Sequence, residues 1–157
     1  VAYGVTNLAA FTSLIAVYNH TGRDDIAGLA GLSARQPLVA LVLVSSMFSL
    51  AGLPVFAGFA SKFYLFNAVG AQGLLWLVAL AILSSLISLY YYLMVARQIY
   101  IEKANDQSLI IVPTTTKALL LGLLILMVVG GIYPAPLMEV IQSATDAIIS
   151  GELVRLV

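Results

Sequence analysis

Ser49-Leu50-Ala51-Gly52-Leu53-Pro54-Val55-Phe56-Ala57-Gly58-Phe59-Ala60-Ser61-Lys62-Phe63-Tyr64 places one proline, two glycines and one lysine in a stretch with no other charge. Pro54 has no N–H, and its ring clashes with the carbonyl of Leu50, so a regular helix cannot run through it. Gly52 and Gly58 admit backbone conformations that other residues resist. The residues before the break, 37–50, make about 21 Å of helix, and those after it, 59–69, make less. Neither piece alone spans the roughly 30 Å of hydrocarbon in a bilayer. The stretch therefore reads as two half-helices around an irregular linker. Such a linker is tolerated in a membrane only when buried in protein or lining a wet cavity.

The surrounding sequence supports a membrane reading. Of 157 residues, 62% are apolar and 9% charged, against roughly 25% charged in soluble domains. A free soluble monomer is thereby excluded. Seven basic residues balance seven acidic ones, which disfavours a nucleic-acid binder. With no cysteine and one histidine, the chain has no disulfide, no thiolate and no sulfur ligand for zinc or iron–sulfur, and no metal site is expected. Charge is missing from residues 1–22, 36–61, 63–96 and 118–138. The second and third of these are separated only by Lys62 and must fold back on themselves; Gly70, Gln72 and Gly73 supply the turn.

The expected fold is all-α, a polytopic membrane bundle of about four spans. They cover residues 3–18, 37–69 (broken near Gly52-Pro54-Gly58), 74–100 and 116–132. Pro134 and Pro136 close the last span, and residues 133–157 form a short amphipathic segment and tail. The loops around Arg23 and Arg35, and around Arg97, Lys103 and Lys117, fall on one side. The other side has Arg155 alone, so the first two loops face the cytoplasm or its equivalent. The chain opens at Val1 in an apolar stretch, with neither a basic leader nor a small-residue cleavage pattern. It is read as part of a longer polypeptide, truncated or partly observed.

Lys62 is the candidate functional residue. If the second half-helix starts near Phe59, Lys62 sits in its first turn, where the positive helix end opposes a second positive charge. Desolvation acts in the same direction. Within the apolar spans there is no acidic partner, so water in a channel or a carboxylate elsewhere must compensate. The alternative is that Lys62 snorkels to the interface. An ionisable residue in a membrane span is a functional candidate by default, and broken helices recur at transporter ion sites.

The signature Ser49-Leu50-Ala51-Gly52-Leu53-Pro54 followed by Gly58-Phe59-Ala60-Ser61-Lys62-Phe63-Tyr64 resembles that of the antiporter-like subunit N (subunit 2) of complex I-type NADH–quinone oxidoreductases. Asn7-Leu8-Ala9-Ala10-Phe11, Ile26-Ala27-Gly28-Leu29-Ala30-Gly31-Leu32 and Ser88-Leu89-Tyr90-Tyr91-Tyr92-Leu93 agree with it. The resemblance implies the last four of about fourteen helices, with Lys62 as the lysine of the second broken helix on the proton exit side. It implies redox-coupled proton translocation by a subunit with no redox site or cofactor of its own. Flavin, iron–sulfur clusters and quinone would belong to other subunits. The implied partners are the other membrane subunits and the lipid bilayer, with no nucleic acid. The implied location is an energy-transducing membrane: bacterial plasma membrane, thylakoid or inner mitochondrial membrane. The runner-up is a multisubunit cation/proton antiporter without a redox arm, and a third reading is a structural bundle with a silent lysine.

Weaker candidates for channel lining are Asn7, His20, Ser84 and Ser88. A solvated helix end accounts for His20, and interhelical hydrogen bonds account for Asn7, Thr12 and Ser13. Close helix packing accounts for Ser84, Ser85 and Ser88. Glu139 and Asp146 are seven residues apart, on one face of any helix there, and read as solvated or as contacts to a neighbouring subunit.

Overall fold

In the computed structural model, which describes residues 1–104, 108–135, 139, 140, 143 and 145, the described residues are helices and their connections. Pro136, Asp146, Arg155 and most of the expected tail lie outside the described residues. Helix α1 covers Ala2–Thr21; a 3-10 turn, Ile26–Leu29, and a single turn α2, Leu32–Arg35, follow it. The broken segment comes next as α3, Pro37–Ala51, and α4, Ala57–Ala71. Helices α5, Leu75–Tyr100, and α6, Thr114–Ile132, complete the bundle.

Several boundaries have a local cause. Gly22 ends α1 at φ 65°, its N–H closing on the Tyr18 carbonyl. Pro37 opens α3 at the position where its missing N–H costs no hydrogen bond. Gly73, at φ 78°, turns the chain between α4 and α5. Asp25 caps the 3-10 turn by accepting from the Gly28 N–H at 3.2 Å. Asp25 also pairs with Arg23 at 2.7 Å, and that hydrogen bond holds its carboxyl below the ordinary carboxylate range.

Helix α3 is the hub of the bundle. Val39, Ala40, Val42, Leu43, Ser46 and Ser49 are fully buried along it, and it packs against α1, α5, α6 and α4. Helix α5 lies at the periphery. Only Ile99 is buried on it, while Leu75, Trp76, Leu83, Ile87 and Tyr90 are among its exposed apolar side chains. An apolar face this extensive does not suit water. Among the described residues, two helices, α5 and α6, are each long and apolar enough to cross a membrane alone. Helix α3 has 15 residues, as has α4, about 22 Å apiece, each shorter than the roughly 30 Å of a bilayer's hydrocarbon.

The two basic loops meet at one end of the bundle. Arg35 Nε donates to the Ser108 carbonyl at 3.1 Å, and the Gln36 side-chain amide donates to the Ile110 carbonyl at 3.1 Å. The Ile110 N–H returns a bond to the Arg35 carbonyl at 3.2 Å. The two loops come together because α3 with α4 runs away from this end and α5 runs back to it.

Candidate functional site at the helix break

Helix α3 ends in a tight C-terminal turn. Gly52 adopts φ 86°, and its N–H reaches the carbonyls of Phe48 and Ser49, while the Leu53 N–H reaches Phe48. This Schellman-type closure serves the carbonyls of Phe48 and Ser49 but leaves those of Leu50 and Ala51 exposed at the helix end. Leu50 would ordinarily accept from residue 54, and Pro54 has no N–H to give. Val55 then takes φ 85°, a rare conformation for a β-branched residue. The chain re-enters helix at Ala57.

The two half-helices are fastened by a line of hydroxyls. The Gly58 N–H donates to Ser49 Oγ at 3.1 Å, giving α4 a cap borrowed from α3. Ser49 Oγ lies 3.1 Å from Thr6 Oγ1, and Thr6 donates to the Ala2 carbonyl at 2.9 Å. With the one hydroxyl hydrogen of Thr6 committed to Ala2, Ser49 donates to Thr6. The approach is close enough that a Cβ at residue 58 would overlap the Ser49 carbonyl. On the far side, a Cβ at Gly131 of α6 would overlap Val55 and Phe56. Both glycines are required by proximity to backbone.

Lys62 lies across this junction. It is the sixth residue of α4, not a first-turn residue as a start near Phe59 would make it. Its side chain reaches back over Gly52 to the end of α3. Nζ donates to the Leu50 carbonyl at 2.9 Å, the Ala51 carbonyl at 3.0 Å and Ser85 Oγ of α5 at 3.0 Å. The compensation expected from water or a distant carboxylate is thus supplied within the chain. The negative end of α3 faces the ammonium, and three acceptors match its three hydrogens. Gly52 makes room: a Cβ there would sit 2.9 Å from Lys62 Cδ.

The weaker candidates lie apart from this junction. Ser88 donates to the Ser84 carbonyl at 3.0 Å, Ser84 is exposed, and Ser85 is the serine of α5 that reaches the lysine. The Asn7 amide donates to the Tyr3 carbonyl at 2.9 Å. His20 is exposed and lines a polar cavity of about 370 Å³ at the loop end, with Arg23, Arg35 and Lys103. Sequence reasoning did not single out Ser85 from its neighbours, nor the Thr6–Ser49–Gly58 line, nor the Gly131 seat. The usable signal was Pro54 itself, whose missing N–H frees the Leu50 carbonyl for another donor.

Broken helices whose half-helix ends and freed carbonyls face a charged group recur in membrane transport proteins. Residues 1–88 match the family described as NADH:quinone oxidoreductase/Mrp antiporter, TM, and the chain belongs to that family of membrane proteins. Similar proteins include the NADH-quinone oxidoreductase subunit N of Moorella thermoacetica, 44% identical over 86% of this chain and 29% of its own length. That of Heliobacterium modesticaldum is 41% identical over 93% of this chain and 31% of its own length. That of Desulfitobacterium hafniense is 37% identical over 94% and 30%. The chain spans about three tenths of the length of these curated relatives.

Proposed function

We propose that the chain is part of a proton-translocating membrane subunit of a complex I-like quinone oxidoreductase, and that Lys62 is the group that takes up and releases the proton. The observation that carries the reading is the three-way donation of Lys62 Nζ across the break in the helix. A single ionisable group held in a low-dielectric junction responds strongly to its neighbours. One unit charge arriving at 4 Å, with an effective dielectric of 20, is worth about 4 kcal/mol. That changes proton occupancy about a thousandfold, enough to load or unload the site. The subunit contributes no redox group. Electrons pass through flavin, iron–sulfur clusters and quinone in other subunits, and the redox change reaches this chain as altered charge or helix position. The assembly resides in an energy-transducing membrane.

The family description also names Mrp antiporters, which favours a second reading, a cation/proton antiporter without a redox arm: the same lysine switch driven by an ion gradient. Purification through a tag on the full-length subunit separates the two. Recovery of flavin- and iron–sulfur-containing partners, with NADH- or ferredoxin-dependent quinone reduction, supports the oxidoreductase. Sodium-dependent proton movement, with no redox partner recovered, supports the antiporter.

A further inference from the structure

We propose that Ser85 is the outlet for the proton held on Lys62, the hydroxyl through which that proton leaves and returns. The proposal rests on the reading of Lys62 as the proton-carrying group. The three acceptors around Nζ are unequal. The carbonyls of Leu50 and Ala51 accept hydrogen bonds but carry no hydrogen to pass on. A proton shifted toward either can only return to the amine. Ser85 Oγ, at 3.0 Å, both accepts and donates.

The transfer balances over three groups. The Nζ–H bond facing Ser85 breaks and a new O–H bond forms on Oγ. The hydrogen already on Oγ leaves to a water molecule, which carries the positive charge away. Lys62 remains as a neutral amine with its lone pair facing Ser85, and the serine hydroxyl donates to it. Uptake is the same sequence reversed. The two N–H bonds to Leu50 and Ala51 persist in both states, so Nζ stays in place while the third direction conducts.

The surroundings fit this assignment. Lys62 and Ser85 share a cavity of about 230 Å³ between α4 and α5, walled by Phe59, Phe63, Ile82 and Leu86. That volume has room for water, and with the three ammonium hydrogens already committed the Ser85 hydroxyl is the group that anchors it. Because the two carbonyls belong to α3 and Ser85 to α5, a movement of α5 against the α3–α4 junction breaks the outlet and leaves the carbonyl pair intact. Ser84 and Ser88 do not replace Ser85, since Ser84 is exposed and Ser88 donates to the Ser84 carbonyl.

The test compares Ser85→Ala, Ser85→Thr, Ser84→Ala and Lys62→Ala in the full-length subunit. The readout is proton uptake into sealed vesicles with quinone reduction, normalised to assembled complex by flavin and iron–sulfur content. Ser85→Ala is expected to lower coupled turnover about tenfold or more, the scale of losing a positioned proton-transfer group. Ser85→Thr, which keeps the hydroxyl, stays within about threefold of wild type, and Ser84→Ala is unchanged. Equal losses in Ser85→Ala and Ser85→Thr would assign Ser85 to packing and overturn the outlet. Wild-type Ser85→Ala beside impaired Lys62→Ala would overturn the outlet while sparing the lysine. Wild-type behaviour in both would sink the lysine reading itself.

Discussion

Gly52 carries two demands in one residue. Its φ of 86° is costly for any side chain, about 1–2 kcal/mol. The space a Cβ would need is occupied by Lys62 Cδ at 2.9 Å. Gly52→Ala is therefore expected both to destabilise the junction and to push the lysine off its acceptors. Thermal stability should fall by about 1–2 kcal/mol, and turnover per assembled complex should fall with it. A variant matching wild type on both counts would mean that the lysine does not run over Gly52. Ser49→Ala removes the borrowed cap of α4 and the link to Thr6. A loss of about 1 kcal/mol is expected from the cap, with Lys62 still able to reach Leu50 and Ala51.

The half-helices are held at their meeting point by backbone proximity. Gly58→Ala drives a methyl into the Ser49 backbone, and Gly131→Ala drives one into Val55 and Phe56. Neither obstacle is a flexible side-chain end, so relief requires α4 or α6 to move. Both variants should reduce the amount of assembled subunit in the membrane. Gly122→Ala is the comparison: open space surrounds that position in the described chain, and alanine favours a helix over glycine by about 1 kcal/mol. Immunoblotting of membranes for all three variants checks the contrast, and equal accumulation would refute the close approach. The break itself was legible in the sequence, because Pro54 and its flanking glycines impose it locally. The start of α4 was not. Ser49, a residue of the preceding helix, caps it, and that puts Lys62 in the second turn. Ser85 could not be told from Ser84 and Ser88 for a similar reason. Which face of a uniformly apolar helix meets its neighbour is decided by packing, and α5 offers little pattern to read.

Across the whole molecule, the hydrogen bonds from Arg35 and Gln36 to residues 108 and 110 tie both basic loops to one end. Connectivity read from the sequence pointed to the same arrangement, since an even number of expected crossings separates the two loops, while the excess of basic residues bears only on which side of the membrane they face. Cysteines replacing Asp24 and Lys103 should react with an impermeant thiol reagent from the same face of the membrane. A cysteine replacing Gln72, in the turn between α4 and α5, should react from the opposite face. Labelling of positions 24 and 103 from different faces would contradict the out-and-back path through α3, α4 and α5. The extensive apolar surface of α5 fits lipid or neighbouring helices, consistent with a chain that spans only part of its relatives' length.

The central claim is that a proton passes through the amine of Lys62. The most direct measurement is the ratio of protons moved to electrons transferred, taken in sealed vesicles with Lys62→Ala and Lys62→Arg and with assembly verified by iron–sulfur content. Alanine holds no proton, and arginine does not release one in a protein. Both variants should assemble, and both should show either a lowered ratio or, where pumping and electron flow are tightly coupled, slowed quinone reduction. If assembled Lys62→Ala keeps the wild-type ratio at the wild-type rate, the proton does not travel through this lysine.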